Sequence, residues 1–172
     1  MQGSPDWAVC VALLDQGAPI LGIVHAPACQ ATYRALAGGG ATLNGETIRT
    51  SSARSLTGAR IAGPKPMLEA LAQSETFEAV GRIPSLALRL TRIADGSIDA
   101  GLISPDARDW DLAAADLVLS EAGGRLSDGE GRPVIYNREV PVHGMLAASN
   151  GQLATPLQAA IERLRDGRTQ SA

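Results

Sequence analysis

The 172-residue sequence is poor in aromatic side chains, which make up only 3% of it. Small and branched aliphatic side chains therefore have to fill most of the core. Hydrophobic residues amount to 45% and charged residues to 19%, a balance typical of a globular chain and not of a disordered one. A chain of this length can bury a substantial core.

Cysteine and histidine are also scarce, with two residues of each. Cys10 and Cys29 lie in apolar stretches without the close spacing of a metal or disulfide motif, so we expect two buried, reduced thiols. His25 falls inside an apolar stretch, which predicts a core histidine. His143 precedes a predicted strand, and we expect a surface or structural role for it. No serine has a histidine at a spacing that indicates a nucleophile.

The sequence lacks an excess of basic residues, since 15 Lys and Arg against 18 Asp and Glu give a net charge of −3. This charge disfavours binding to duplex nucleic acid, which relies on phosphate neutralisation. A small phosphorylated metabolite is a compatible partner, because a metal can neutralise it locally. No apolar run reaches the length of a membrane span and no signal peptide is evident, so we expect no membrane partner and a cytoplasmic location.

The first third of the chain predicts hairpins. Residues 7–14 are apolar on both alternating faces, which predicts a strand buried on both sides, and residues 20–25 form its partner strand. Such a strand needs covering elements, which we expect from chain outside this sequence. Residues 32–36 predict a third strand. Asn44-Gly45 then predicts a second hairpin, because both residues accept the positive φ angles of a tight turn.

The rest of the chain mixes strands and helices. Strands are expected over 58–63, 97–103 and 144–149, and helices over 66–72, 85–94, 110–122 and 155–165. The helix over 85–94 is amphipathic, and so is the last one, whose apolar face comprises Leu157, Ala160, Ile161 and Leu164. The fold class is therefore α/β (α+β). We divide the chain into 1–54, with the core hairpin strands, and 55–172, a C-terminal α/β subdomain.

The main candidate for chemistry is Asp111, in the first turn of the helix predicted over 110–122. The positive end of a helix favours an ionised carboxylate there, and a carboxylate beside a loop suits a hard cation such as Mg²⁺. From spacing alone, the alternative that Asp109 or Asp111 merely caps the helix stays open. Trp110 is expected to bury its ring, and the alanines at 113–115 to allow close packing of the helix.

The stretch Trp110-Asp111-x-Ala113-Ala114, followed by Glu-Ala-Gly-Gly at 121–124, resembles the C-terminal signature of the inositol monophosphatase-like family. That family comprises magnesium-dependent sugar and nucleotide phosphatases. Further segments resemble the family in the same order, at 3–9, 22–27, 40–45 and 95–100. The chain is thus similar to the C-terminal portion of the family. The resemblance implies the layered αβαβα sugar-phosphatase fold, with the N-terminal layers incomplete.

The resemblance implies that Asp111 is a Mg²⁺ ligand near a bound phosphate. The implied activity is that of a phosphoric monoester hydrolase acting on an inositol monophosphate or another sugar phosphate. Ser85, Leu86 and Ser104 fall at substrate-binding positions, but they differ from the residues of inositol-specific members. Pro84-Ser85-Leu86 replaces a Gly-Thr-Ala turn, and Ser104 stands near the place of a glutamate. An adenosine 3′,5′-bisphosphate nucleotidase is therefore an alternative.

The family's central motif, Asp-Pro-Ile/Leu-Asp-Gly-Thr, has no counterpart in this sequence, and neither has the family's earlier glutamate ligand. A mis-set start and a real truncation both account for this. We expect an impaired enzyme, with an inactive, non-enzymatic remnant or scaffold as the alternative. Apolar strand faces left uncovered would favour association, so a homodimer is a further expected partner.

Overall fold

The computed structural model describes residues 5–169, with side chains described as far as Arg163. The first sheet is an antiparallel meander with its five strands in chain order. Its strands are β1 (Val9–Asp15), β2 (Ala18–Ala26), β3 (Ala31–Leu36), β4 (Gly40–Leu43) and β5 (Glu46–Thr47). Both predicted hairpins are confirmed. Asn44 and Gly45 adopt φ angles of 51° and 93°, as a tight turn between β4 and β5 requires.

The second sheet has five strands: β6 (Arg60–Ala62), β7 (Glu78–Ala79), β8 (Ala100–Ile103), β10 (Gly124–Asp128) and β12 (Leu146–Asn150). Their order in the sheet is β10-β12-β8-β6-β7, and the sheet is mixed, since β6 runs parallel to both β7 and β8. A separate two-stranded sheet pairs β9 (Ala107–Arg108) with β11 (Val142–His143). The short strands β7, β9 and β11, and also β10, were not predicted from the sequence.

The described residues contain four α-helices: α1 (Lys65–Leu71), α2 (Leu86–Ala94), α3 (Asp109–Glu121) and α4 (Ala154–Thr169). Each predicted helix is present, although α4 runs farther than expected. Helices α2 and α3 lie between the two sheets, and α1 and α4 pack together on the other face of the second sheet. The mixed α/β layers confirm the predicted fold class. The division of the chain at position 54 stays a prediction.

The predicted apolar face of α4 is buried as far as it is described. Leu157, Ala160 and Ile161 are at most 2% exposed and contact the second sheet. The side chain of Leu164 lies outside the described residues. None of the helices in the described part of the chain combines the length and the apolar character that a membrane crossing requires.

Burial of the first sheet differs from the prediction. Strand β1 forms, but Val9, Val11 and Leu13 are 52%, 53% and 56% exposed, so the prediction of burial on both faces is wrong. The reason is that β1 is an edge strand and the described helices cover only one face of the sheet. On the same strand, Cys10 points the other way and is partly buried.

Two further burial predictions are wrong. His25 is exposed, and its Nδ1 lies 2.9 Å from Oγ1 of Thr32 on the neighbouring strand, so it is not a core histidine. Cys29 is also exposed, although both cysteines are free as expected. His25 lies on a solvent-facing side of β2, and Cys29 lies in the exposed turn after that strand, although the sequence around both is apolar.

The glycine-rich loop before β4 binds a carboxylate of the chain itself. Oε1 of Glu121 accepts a hydrogen bond from the Gly38 N–H, and Oε2 accepts one from the Gly40 N–H, both at 2.8 Å. Glu121 ends α3, where the helix dipole disfavours a negative charge. The two backbone donors offset that penalty and fasten the C-terminal end of α3 to the first sheet.

Helix α3 approaches β2 so closely that only glycine fits at position 22. A Cβ atom built on Gly22 would lie 2.5 Å from the carbonyl oxygen of Ala114. The alanines at 113–115 are all buried at this contact, which confirms the predicted close packing of the helix. Small residues on both elements therefore set the distance between α3 and the first sheet.

We predict that Gly22→Ala lowers the free energy of unfolding by about 1–3 kcal/mol, because the new methyl group overlaps backbone atoms that cannot rotate away. Urea unfolding monitored by circular dichroism measures the change. Gly144→Ala is the matched control, since a Cβ atom there meets nothing within 4 Å. The control should change stability by no more than about 0.5 kcal/mol. Equal stabilities of the two variants would contradict the close approach.

Candidate active site

A cleft of about 1070 Å³ opens between α1, the start of α2, the end of β8 and the start of α3. Asp111, Ser104 and Leu86 all line it, so three of the four residues proposed from the sequence share one cavity. Ser104 follows the last residue of β8, and Leu86 begins α2. The cleft is large enough for a small metabolite.

Asp111 is available for binding, whereas its neighbour Asp109 is not. Oδ2 of Asp109 accepts a hydrogen bond from the Asn137 N–H at 2.7 Å, and Oδ1 accepts one from Nε2 of His143 at 2.6 Å. Among the residues that the structure describes, the Asp111 carboxylate has no hydrogen bond or ion pair. Neither aspartate caps α3, since the residue before the helix is Arg108 and no side chain caps its N-terminus.

The first turn of α3 and strand β1 are electrostatically linked. Burial raises the pKa of the Cys10 thiol, and the nearby negative charge of Asp111 raises it further. The Asp111 carboxylate, in the first turn of α3, is therefore near enough to β1 for its charge to act on the Cys10 thiol.

Trp110 does not bury its ring, so that prediction is wrong. Its side chain is 64% exposed, and the Arg108 guanidinium lies 5.8 Å from the ring centroid. Successive residues in the first turn of a helix point in different directions, and the position of Trp110 faces away from both sheets. The bonds of Asp109 described above hold the start of α3 instead.

The side chain of Ser85 forms a hydrogen bond with the backbone and does not line the cleft. Its Oγ accepts a hydrogen bond from the Leu88 N–H at 3.3 Å, so it caps the N-terminus of α2. Ser104 is exposed in a loop that continues to Asp106, whose φ angle of 77° is unusual for a residue other than glycine. The Asp106 N–H donates to the carbonyl of His143, which holds this loop in place.

A second hydrogen-bonded pair lies behind the cleft, on the side of α3 that faces residues 133–143. Tyr136 donates to Oδ2 of Asp116 at 2.7 Å, and its ring meets the ring of His143 edge-on. Burial raises the pKa of Asp116 from 3.8 to about 6, although the Tyr136 hydrogen bond acts in the opposite direction. Since His143 bonds Asp109, its predicted structural role is confirmed.

The charges of the cleft are mixed. Lys65, Arg82 and Arg89 line it together with Glu69, Asp106 and Asp111. Arg82 and Arg89 were not predicted as cleft residues from the sequence. The sequence carries no signal for Arg89, since an arginine in an amphipathic helix is usually assigned to the solvent face, whereas residues 87–91 are in fact all buried. Within the described residues, no three His, Cys, Asp or Glu side chains come together as a metal site.

Comparisons with known proteins agree with this geometry. A model of the inositol monophosphatase family matches residues 1–165. The chain belongs to the inositol monophosphatase family. An inositol-1-monophosphatase of Rhizobium meliloti is 30% identical over 175 aligned positions, covering 95% of this chain and 63% of that protein. A histidinol-phosphatase of Mycobacterium tuberculosis is 32% identical, covering 89% of this chain and 61% of that protein.

The fold agrees with solved members of the inositol monophosphatase family. The inositol monophosphatase of Anabaena superposes with a TM-score of 0.78 at 25% identity, covering 92% of this chain and 65% of that one. The chain therefore spans less than two thirds of these relatives. The family comprises phosphatases that generally depend on a metal.

We predict that Asp116→Asn stabilises the protein at high pH. A pKa raised to about 6 means that the folded chain holds its proton more tightly than the unfolded chain. The contribution of Asp116 to stability should therefore fall as the pH rises from about 4 through about 6, and asparagine escapes this loss. We expect a gain of about 1–2 kcal/mol at pH 8 and none at pH 4, measured by urea unfolding.

Asp15→Asn is the matched control for this prediction, because Asp15 is exposed at the end of β1. Its stability should follow that of the wild type at every pH. A gain for Asp116→Asn that did not depend on pH would show that the carboxyl group does not titrate as the structure indicates.

Proposed function

We propose that this chain carries part of the active site of a Mg²⁺-dependent phosphomonoester hydrolase, with Asp111 as one metal ligand. The observation that supports this best is the contrast between two adjacent aspartates. Both carboxylate oxygens of Asp109 accept hydrogen bonds, from Asn137 and His143. The Asp111 carboxylate lines the cleft and has no hydrogen bond to the described residues. A carboxylate kept free at the positive end of a helix suits a hard cation.

The described residues do not form a complete magnesium site. Mg²⁺ prefers six oxygen ligands in octahedral geometry, and one carboxylate supplies one or two of them. A bound metal would supply charge neutralisation of a phosphoryl group, but no catalytic step through it can be built on Asp111 alone. This shortfall favours a second candidate, in which the chain by itself is catalytically inactive and serves as a non-enzymatic scaffold.

The proposed substrate is a small phosphomonoester, such as an inositol monophosphate or another sugar phosphate. The names of the relatives, an inositol-1-monophosphatase and a histidinol-phosphatase, support a phosphomonoester substrate. They differ in the alcohol to which the phosphate is esterified. We propose that Ser104 and Leu86 contact the substrate, and that Ser85 acts by holding the start of α2. An adenosine 3′,5′-bisphosphate remains an alternative substrate.

Two further proposals concern the cellular location and the oligomeric state of the protein. Free Cys10 and Cys29 support a cytoplasmic location, where thiols stay reduced. The exposed side chains of Val9, Val11 and Leu13 on the edge strand β1 support formation of a homodimer.

For the metal site, we predict that Asp111→Asn removes the binding of Mn²⁺, a paramagnetic substitute for Mg²⁺ that shares its preference for oxygen ligands. In the wild-type chain, Mn²⁺ should broaden the amide resonances of residues 109–113 first. Loss of the carboxylate should abolish that selective broadening, measured by ¹H–¹⁵N correlation spectra. Asp15→Asn is the control and should broaden as the wild type does. Unchanged broadening in Asp111→Asn would exclude Asp111 as a ligand.

Turnover assays separate the two candidate functions. The chain alone, with Mg²⁺ and a panel of phosphomonoesters, should show only background hydrolysis, and robust turnover would contradict the inactive-scaffold candidate. In a longer form that supplies the rest of the family's length, Asp111→Asn should lower kcat about 100-fold or more. Unchanged kcat in that form would contradict the proposed role of Asp111.

For the homodimer, we predict that Val11→Glu shifts the sedimentation coefficient of the protein to that of a monomer. A buried glutamate would repel its symmetry mate and lose hydration, whereas the wild type should sediment as a larger species. Thr57→Glu, in an exposed loop, adds the same charge and should leave association unchanged. A wild-type chain that sediments as a monomer would contradict the proposal.

A further inference from the structure

A second cleft of about 610 Å³ lies next to the one that Asp111 lines. It opens between α1, the loop after β8, the turn that follows β10 and the segment that leads into β12. Among the described residues, the two clefts have only Pro105 in common. The second cleft is therefore a separate cavity of a size that holds small molecules, and the proposed function gives it no role.

The imidazole of His143 connects the wall of this second cleft to the start of α3. Its Nε2 lies 2.6 Å from Oδ1 of Asp109, whose Oδ2 accepts the Asn137 N–H. Because the carboxylate is the acceptor, a neutral imidazole carries its proton on Nε2 and a lone pair on Nδ1. Nδ1 has no hydrogen-bond partner among the described residues and is not an enclosed atom. The ring is thus oriented by a carboxylate, while its other nitrogen is an unused acceptor at the cleft.

Arg138 supplies the second cleft with a positive charge that has no partner. Asp128 and Glu130 also line the cleft, but both pair with the Arg132 guanidinium. Oδ1 of Asp128 also accepts the N–H groups of Glu130 and Arg132, each at 2.9 Å. The Arg138 guanidinium is exposed and has no hydrogen bond or ion pair among the described residues. An anion that enters the cleft therefore meets Arg138 as an available charged donor.

Apolar side chains form much of the remaining wall of the second cleft. Met67 of α1 and Met145, just before β12, both line it and are both partly buried. Ile135, which is 51% exposed, lines it as well. Methionine side chains are unbranched and adapt their shape to a ligand, so they are common at binding surfaces. The cleft therefore combines an adaptable apolar wall with a cationic donor and a neutral acceptor.

We propose that the second cleft binds a small hydroxy acid with an apolar chain. The carboxylate of this ligand pairs with Arg138, its hydroxyl donates to Nδ1 of His143, and its chain lies against Met67 and Met145. A simple carboxylic acid would leave the His143 lone pair unused, and a simple alcohol would leave the Arg138 charge unused. The inference does not rest on the proposed function, because it involves neither Asp111 nor the residues that we propose to contact the substrate.

A ligand in the second cleft would also act on the loop that carries Ser104. The Asp106 N–H donates to the carbonyl of His143 at 2.9 Å, and Ala107 pairs with His143 between β9 and β11. His143 thus lies between the proposed ligand and the loop from Ser104 to Asp106. Binding at Nδ1 should therefore shift the backbone amide resonance of Asp106.

A structural role for His143 and a solvated Arg138 account for less of what is observed. The bond to Asp109 explains the position of Nε2. It does not explain why Nδ1 opens to a cavity in which two methionines line the wall. An exposed arginine is common on protein surfaces and would indicate nothing alone. The inference depends on Arg138 and the unused acceptor of His143 lining the same cleft.

Three probes with the same carbon chain test the proposal: 2-hydroxyhexanoate, hexanoate and 1,2-hexanediol. The ¹⁵N-labelled metal-free chain is titrated with each at constant pH while the imidazole and amide resonances are followed. 2-Hydroxyhexanoate should shift the His143 and Asp106 signals in a saturable manner, with a dissociation constant of about 1 mM or lower. Hexanoate and 1,2-hexanediol should bind at least about fivefold more weakly, since each lacks one polar group. His25, exposed on β2 and outside the cleft, is the internal control and should not shift.

Three variants make the outcome specific. Arg138→Gln should raise the dissociation constant for 2-hydroxyhexanoate about tenfold, because it removes the charged donor from an exposed loop. Arg34→Gln removes an exposed arginine of β3, outside the cleft, and should bind as the wild type does. Asp111→Asn should also bind as the wild type does, so failure of the metal ligand and failure of this site are distinguishable.

Three results would each overturn the proposal. The first is that Arg138→Gln binds 2-hydroxyhexanoate as tightly as the wild type does. The second is that hexanoate or 1,2-hexanediol binds as tightly as 2-hydroxyhexanoate. The third is that 2-hydroxyhexanoate gives no saturable shift of the His143 signals, or shifts His25 equally.

Discussion

The close contact between α3 and β2 is the constraint on which the rest of the molecule depends. Gly22 brings the backbone of β2 against the carbonyl of Ala114, and the alanines around it let α3 lie between two sheets. With the helix axis held in this way, its two ends have fixed positions. The C-terminal end meets the glycine loop through Glu121, and the N-terminal turn opens at the cleft. Asp111 owes its position to packing less than one turn away, at Ala114, and not to its own contacts.

The carboxylates of this chain differ in whether hydrogen-bond donors satisfy their oxygens. Asp109, Glu121 and Asp99 all have donors that satisfy both carboxylate oxygens. The Asp111 carboxylate has no such donor among the described residues, and it lines the cleft. A folded protein satisfies most of its polar groups, so a carboxylate without a partner at a cavity is a candidate for ligand binding. The proposed metal site rests on this contrast.

The sequence was sufficient for most of the fold but for only part of the site. Asn44-Gly45 identified its hairpin because its turn chemistry is local, and the helices follow from local periodicity. Burial is not local: residues 7–14 form a strand, yet an apolar strand looks the same whether or not another layer covers it. Likewise, the spacing of Asp109 and Asp111 in the sequence does not show which carboxylate is free for a ligand. Asp109 is hydrogen-bonded by His143, which lies 34 residues farther along the chain. Arg89 was overlooked because an arginine in an amphipathic helix is usually assigned to the solvent face.

The proposed substrate contacts and the proposed metal ligand lie in different segments of the chain. In the proposed function, the residues that contact the substrate are Leu86 at the start of α2 and Ser104 after β8. The proposed metal ligand among the described residues is Asp111, in a chain that spans less than two thirds of its relatives. The proposed substrate contacts and the proposed metal ligand thus come from different segments. Under this proposal, a change at Ser104 or Leu86 should alter which phosphate ester binds without altering the metal ligand, because these residues share a cavity with Asp111 but no hydrogen bond.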